Sequence, residues 1–298
     1  MILPMNFNRI EPANRVSIED IRDIYGHHLS SHAFCSLYLW QKALGLSVYL
    51  EEDFFVVRCK WKGANCFFFP CGNGQKKEAF ISEHMHEKDF KLCYMNAADT
   101  DFLCRNFPKR FCITHDRNSY EYVYDKMEVL AMPGGKFAKI RTKLHGLERK
   151  YNLHTEKLTP ENRGQAIEII KVWARNHKRS VSQPFNDADV ALQALDQMEL
   201  LGLLGTVTYL DGEPYAVTAG CEISESVFDL CVAKQKAATP GLDYYAKICL
   251  YNIIPERFTY INAEEDMGIP GLREHKLEMR PIKLEGIWEG TTKQYEKR

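Results

Sequence analysis

The sequence predicts an α/β (α+β) chain made of two units with mixed, mostly antiparallel sheets. Three observations carry that expectation. Strand-like alternating runs and helix-period runs interleave along all 298 residues. That length suits two domains of ordinary size or one large one. A hydrophobic content of 45%, with 12% aromatic, is enough for substantial cores and excludes a disordered chain. The formal net charge of -1 excludes a global field that would draw the protein to nucleic acid or an anionic membrane. Any such affinity rests on a local patch.

Residues 17–46 read as helical, with Ser17-x-x-Asp20 as a capping-box variant. Residues 48–60 and 66–70 are strand-like around Gly63-Ala-Asn65, and Gly72-Asn-Gly74 marks the turn that follows. A helix over 76–91, short strands near 92–95 and 111–114, and the alternating aromatic run Arg117-Asn-Ser-Tyr-Glu-Tyr-Val-Tyr-Asp125 complete a first unit expected over 1–130. After the break Pro133-Gly-Gly135, Phe137, Ile140, Leu144, Leu147 and Tyr151 recur at helical spacing. The rest of that helix surface carries Lys136, Lys139, Arg141, Lys143, Arg149 and Lys150 against the single acid Glu148. This basic helix, 136–151, is expected at the junction with a second unit over 131–298.

In the second unit, 151–158 is strand-like, and 160–175 and 187–199 are helical. Residues 203–210 and 213–223 flank Asp211-Gly212, the strongest hairpin signal in the chain. A strand over 227–232, a helix over 241–254 and a strand over 258–262 follow. Two helices, a hairpin, a strand, a helix and a strand is the element order of the acetyltransferase-like (GNAT-like) fold. The whole chain reads as a tandem of two such domains.

The richest stretch for chemistry is Asn262-Ala-Glu-Glu-Asp-Met-Gly-Ile-Pro-Gly-Leu-Arg-Glu-His-Lys-Leu-Glu-Met-Arg-Pro281. Carboxylates follow an apolar strand, glycines permit a sharp turn, and two cations come next, before a further strand-like stretch from about 278. Adjacent carboxylates raise one another's pKa, which makes Asp266 or Glu265 the expected general base. Arg273 and Lys276 are expected to orient a donor carbonyl or neutralise developing charge, with Asn262 beside them. The structural alternative is an Asp266–Arg273 bridge that pins the turn. A one-residue register shift exchanges Glu265 and Asp266. His275 is a weaker base candidate at an edge position, and His27-His28 and His84-Met-His86 are expected at the surface.

The Arg117–Asp125 run, the basic helix after Gly135-Lys-Phe137 and the segment Glu265-Asp-x-Gly-x-x-Gly-Leu-Arg-x-x-Lys276 resemble one family. It is the soluble C-terminal domain of bacterial phosphatidylglycerol lysyltransferases, with its stand-alone relatives. Ser31-His-Ala-Phe-Cys-Ser-Leu-Tyr-Leu-Trp40 fits that family's N-terminal part, so the resemblance spans nearly the whole chain. It implies transfer of an aminoacyl or acyl group to a hydroxyl or amine, without metal or cofactor, and Arg117 and Tyr122 lining the cleft. Lys136, Lys139, Arg141 and Lys143 would then meet the tRNA of an aminoacyl-tRNA donor, or touch anionic lipid at its periphery.

Two other readings stay open. An acyl-CoA donor needs a Gln/Arg-x-x-Gly-x-Gly/Ala turn that holds pyrophosphate on a helix N-terminus. Gln235-Lys-Ala-Ala-Thr-Pro-Gly-Leu-Asp243 offers Ala238 and Pro240 where the glycines belong, and an anion, Asp243, in the first turn. Thr239 and Pro240 suit N-cap and N1, which makes a good helix start and a poor CoA site. The other reading is a non-catalytic binding module with the same fold. Ten cysteines lie mostly in apolar runs with no Cys-x-x-Cys, and Cys66, Cys71, His84 and His86 lack zinc spacing, so no metal is expected. The start of the chain has no signal-peptide pattern, and no apolar stretch approaches the roughly 20 residues of a membrane span. The chain reads as cytoplasmic with reduced thiols, without the membrane-embedded half of full-length lysyltransferases.

Overall fold

The structure, a computed structural model, describes residues 5–63, 65–176 and 187–293. Residues 1–4, part of the segment read as lacking a targeting pattern, and Ala64 of the expected 63–65 turn lie outside the described residues. The chain divides into two compact units, Met1–Tyr120 with Glu285–Arg298, and Glu121–Leu284. The boundary expected at 130/131 therefore falls at 120/121, and the last stretch belongs to the first unit. The reason is strand pairing between residues far apart in sequence, which leaves no local signal.

In the first unit, the helix expected over 17–46 is two helices. α1 (Arg15–Tyr25) ends where Gly26 adopts φ 67°, and α2 (Phe34–Leu44) ends at Gly45 with φ 62°. Ser17 lies inside α1 rather than capping it, because the helix starts two residues earlier. The break between them buries His27 and His32, so His27 is not the surface residue expected. β1 (Leu46–Leu50) and β2 (Phe54–Cys59) form an antiparallel hairpin, and β3 (Cys66–Phe68) and β4 (Cys71–Gly72) both pair with β2. α3 (Gly74–His84) is capped by Asn73, whose Oδ1 accepts from the N–H of Gln75 at 2.9 Å. It crosses over to β5 (Lys91–Met95), parallel to β3. His84, also expected at the surface, stacks on Phe80 with ring centroids 4.4 Å apart. α4 (Ala97–Asn106) was not foreseen, although Asn96 and Asp99 form a full capping box before it. β6 (Phe111–His115) follows. An aromatic core including Phe54, Phe67, Phe80, Phe90 and Phe111 fills this unit.

The second unit opens with β7 (Glu121–Asp125), α5 (Lys126–Ala131) and the basic helix α6 (Ala138–Lys150). Ile140, Leu144 and Leu147 of α6, with Phe137 before it, are buried as their spacing predicts. β8 (Leu153–Lys157), α7 (Arg163–Asn176), α8 (Asp187–Asp196) and α9 (Met198–Leu201) lead to the hairpin β9 (Leu204–Leu210) and β10 (Glu213–Ser224). Asp211 and Gly212 take φ 51° and 86°, the two positive values that a tight hairpin turn demands. β11 (Val227–Gln235), α10 (Leu242–Ile253), β12 (Tyr260–Asn262), α11 (Pro270–Glu278) and β13 (Lys283–Glu285) complete it. β14 (Trp288–Thr292) returns to the first unit, between β5 and β6 and antiparallel to both. The seven strands of the second unit's sheet run β13-β7-β12-β11-β10-β9-β8. Both sheets are mixed and mostly antiparallel, with β3/β5 a parallel pair in the first and β11/β12 in the second.

Two corrections bear on the site. The stretch 270–278, read as loop before a strand, is the helix α11 with Pro270 in its first turn, where a missing N–H costs nothing. α10 is capped at Gly241 rather than at Thr239, because Gly241 lies against Lys143. A Cβ on Gly241 would meet the carbonyl of Lys143 at 2.5 Å, and its φ is 89°.

The parallel pair β11/β12 is bonded only over Val227↔Tyr260, Phe228↔Ile261 and Asp229↔Asn262, after which β12 stops and β11 runs on to Gln235. The sheet forks there. On the other side of β11, β10 shifts register between Ala219 and Cys221, around Gly220. A Cβ on Gly220 would sit 1.8 Å from the carbonyl oxygen of Asp229, so only glycine lets the strands close at the fork. Gly220→Ala should lower stability by about 1–3 kcal/mol through overpacking. Chemical denaturation checks this, and an unchanged midpoint would contradict the close approach.

Candidate active site at the strand fork

Beyond Asn262 the chain makes a compact loop, held by side chains rather than by strand pairing. The Nδ2 of Asn262 donates to Glu121 at 2.6 Å, and its Oδ1 accepts from the N–H of Glu264 at 2.8 Å. Lys276 reaches up from α11 and donates to the carbonyls of Ala263, Glu264 (3.1 Å) and Glu265 (2.6 Å). These bonds impose φ 55° on Glu264, a left-handed conformation that non-glycine residues rarely adopt. Lys276 is 8% exposed, and burial pulls its pKa down to about 8 against the opposing pull of Glu264 and Glu265.

Asp266 is fully buried and engaged on every side. Its carboxylate accepts from the Nε and Nη2 of Arg273, both at 2.8 Å, from the hydroxyl of Tyr122 at 2.5 Å and from the N–H of Gly268 at 2.8 Å. Burial acts to raise its pKa. The bonds from Arg273, Tyr122 and Gly268 outweigh it and hold the carboxyl far below the usual carboxylate range. The pKa rise expected for Asp266 is therefore reversed, and the bridge with Arg273 is the role this geometry gives it. The neighbour that rises is Glu264. Burial, then the charges of Asp229 and Glu265, push its carboxyl well above the ordinary range, with Lys276 opposing. Asp229 is fully buried at the fork, in register with Asn262.

A second network faces this loop from α10. Lys247, 8% exposed, lies 2.7 Å from the Nε2 of His275, and Asp243 approaches the same nitrogen at 2.7 Å. The Nδ1 of His275 meets the Tyr244 hydroxyl at 2.8 Å, and that hydroxyl donates to Glu278. Burial, then Lys247, lowers the pKa of His275, and Asp243 opposes them. His275 is thus half-buried and central rather than at an edge.

The remaining expected residues separate. Tyr122 is buried at the site, whereas Arg117 belongs to the first unit, its guanidinium 5.4 Å from the Tyr120 ring centroid. On the basic helix, Lys136 pairs with Glu128, and Lys143 pairs with Glu278 at 2.6 Å. Arg141 donates to the carbonyls of Met132 (2.6 Å) and Gly134 (2.8 Å). Three of the four expected tRNA contacts are thus engaged within the fold, while Lys139, Arg149 and Lys150 remain exposed.

Sequence reasoning passed over Asp229, Tyr244, Lys247 and Glu278, read Asp243 only as an obstacle to a CoA phosphate, and named Glu265 and Asp266 rather than Glu264 as candidate bases. Two signals were available. Asp229 interrupts the apolar run Phe228–Leu230, where a solvated aspartate does not belong. Lys247 shares a helical face with the buried Tyr244 and Tyr251.

The forked parallel pair and the order of elements around it make an acetyltransferase-like fold. Residues 22–288 match the family described as Phosphatidylglycerol lysyltransferase, C-terminal, and the chain belongs to that family. A conserved protein of unknown function from Bacteroides thetaiotaomicron is similar in structure, with a TM-score of 0.88 at 24% identity over 97% of this chain and 100% of that one. The C-terminal domain of a putative lysylphosphatidylglycerol synthetase from Agrobacterium fabrum aligns with a TM-score of 0.67, at 13% identity over 95% and 93%. L-PGS from Bacillus licheniformis gives 0.66, at 16% identity over 97% and 94%. No curated protein matches the sequence. Among the described residues, no helix is long and apolar enough to cross a membrane.

Asp266→Asn should cost about 2–3 kcal/mol at neutral pH by weakening bonds to a buried charged acceptor. Because the folded pKa is depressed, the difference from the parent is full above the unfolded value of about 3.9 and shrinks as pH falls below it. Urea denaturation of both proteins at several pH values measures this, and a difference constant through the acid range would refute the assignment.

Proposed function

We propose that the protein transfers an activated aminoacyl group, donated by aminoacyl-tRNA, to a hydroxyl or amine acceptor at the fork of the second unit. The observation that carries this reading is Glu264, whose raised pKa and left-handed backbone suit a general base held ready in a fixed position. In the proposed reaction the acceptor's O–H or N–H proton moves to the Glu264 carboxylate as the nucleophile attacks the donor's ester carbonyl. The tetrahedral intermediate collapses and expels the tRNA ribose oxygen, which takes up the proton held by Glu264. Lys276 acts by holding the carbonyls that aim Glu264, and Asp266 with Arg273 and Tyr122 holds the loop from the other side. Glu265 stays a neighbouring charge.

Two features support an aminoacyl over a plain acyl donor. The buried carboxyl group of Asp229 beside Glu264 suits the ammonium of an aminoacyl group, a feature acetyl and fatty acyl groups lack. The start of α10 is also poorly suited to pyrophosphate, because Gly241 packs on a carbonyl and Asp243 occupies the first turn. Exposed Lys139, Arg149 and Lys150 are the cations available to a tRNA backbone, or to anionic lipid if the acceptor is a lipid.

The test is release of labelled amino acid from a mixture of charged tRNAs, with phosphatidylglycerol vesicles or free amines as acceptor. Glu264→Gln should lower kcat/KM by about a hundredfold or more without changing Tm. In the parent protein, the acid limb of the pH profile should lie well above the ordinary glutamate value of about 4.3. Turnover unaffected by Glu264→Gln would remove the base. If a thermal shift of several degrees appears with acetyl-CoA, the acyl-CoA reading replaces this one. If no donor is turned over, the non-catalytic binding module remains.

A further inference from the structure

The first unit contains a cavity of about 210 Å³ between the end of α1, the start of α3 and α4. It is smaller than the roughly 300–1,000 Å³ of pockets that enclose whole drug-sized ligands, and suits one polar group. Among its lining residues are His27, Lys77, Asn96, Asp99, Phe102 and Arg105. The only carboxylate in the lining, Asp99, is already engaged, its Oδ2 accepting from the N–H of Asn96 at 2.9 Å and lying 3.2 Å from the Nε2 of His27. The cations are not. Neither Lys77 nor Arg105 has an ion-pair partner among the described residues. The Lys77 ammonium lies 5.1 Å from the Phe102 ring centroid and 5.7 Å from that of Phe69, and the Nε of Arg105 donates only to the carbonyl of Asp101. His27 is 4% exposed, and its Nδ1 is buried without a hydrogen-bond partner among the described residues. Buried polar atoms in folded proteins are nearly always satisfied, so this one marks an incomplete site.

We propose that this cavity binds the phosphate group of a small phosphate ester, with Lys77 and Arg105 as charge partners and His27 in the cavity wall. Lys77 of α3 and Arg105 of α4 line the same volume, which is too small for more than a headgroup. A phosphate dianion offers acceptors in enough directions to meet both cations, whereas a carboxylate presents only two oxygens in one plane. The aromatic faces of Phe69 and Phe102 keep the lysine near the cavity without neutralising it. This site lies wholly in the first unit and does not depend on the chemistry proposed for the second.

The experiment is calorimetric titration of the full chain with inorganic phosphate, glycerol 3-phosphate and acetate at low ionic strength. Saturable binding of both phosphates is expected, weakened about tenfold or more by Lys77→Met or Arg105→Met and unchanged by Glu264→Gln. Tighter binding of glycerol 3-phosphate would identify an esterified source, and tighter binding of inorganic phosphate the free ion. Either supports the site. His27→Asn is the third variant, and the two rim variants keep the test valid if it does not fold. No saturable heat with either phosphate, acetate binding as tightly as phosphate, or full affinity in both rim variants would overturn the proposal.

Discussion

One buried ammonium organises the second unit's site. Moving the charge of Lys276 out of water costs several kcal/mol, and three backbone carbonyls together with nearby carboxylates offset that cost. The carbonyls belong to consecutive residues, which a regular strand cannot aim at one point, because strand carbonyls alternate in direction. Gathering them on one nitrogen therefore requires the chain to leave strand geometry directly after Asn262. The positive φ of Glu264 and the early end of β12 are two faces of the same constraint, and the fork follows from both.

Once the loop is set, its carboxylates divide by environment. Asp266 meets a guanidinium, a hydroxyl and a backbone N–H, and is held ionised. Glu264 meets burial and like charge, and is pushed towards the neutral form. Two carboxylates two residues apart thus acquire opposite properties, as a site requires when one must hold structure and the other must exchange protons. The His275 network follows the same principle, with burial, then Lys247, lowering the ring's pKa and Asp243 opposing them.

Many cations of both units are paired, among them Lys62 and Lys91 with Glu289 and Lys76 with Glu51 and Asp53 in the first unit. In the second, Lys143, Lys234 and Arg273 are paired, Lys234 with Asp187 at 2.5 Å, so the basic residues there mostly hold the fold together. In the first, Lys77 and Arg105 are left to face a cavity. Charge counted along the sequence cannot separate these cases, because partners such as Glu278 for Lys143 lie more than a hundred positions away.

By itself the sequence determined the elements that local chemistry specifies: the Asp211-Gly212 hairpin, the apolar stripe of the 138–150 helix, the aromatic strand at 121–125 and the cluster of carboxylates and cations over 262–276. Each rests on neighbours within about a turn or a strand, where spacing and turn residues act directly. The split of the 17–46 helix at Gly26 and the capping box at Asn96 were also legible, though passed over. Only the tertiary structure decided that Glu264 rather than Asp266 carries the raised pKa, that Lys247 and His275 face the loop, and that β14 completes the first unit's sheet. The physical reason is that burial, ion pairing and strand pairing join residues distant along the chain, and a carboxylate's pKa is set by what closes around it in space.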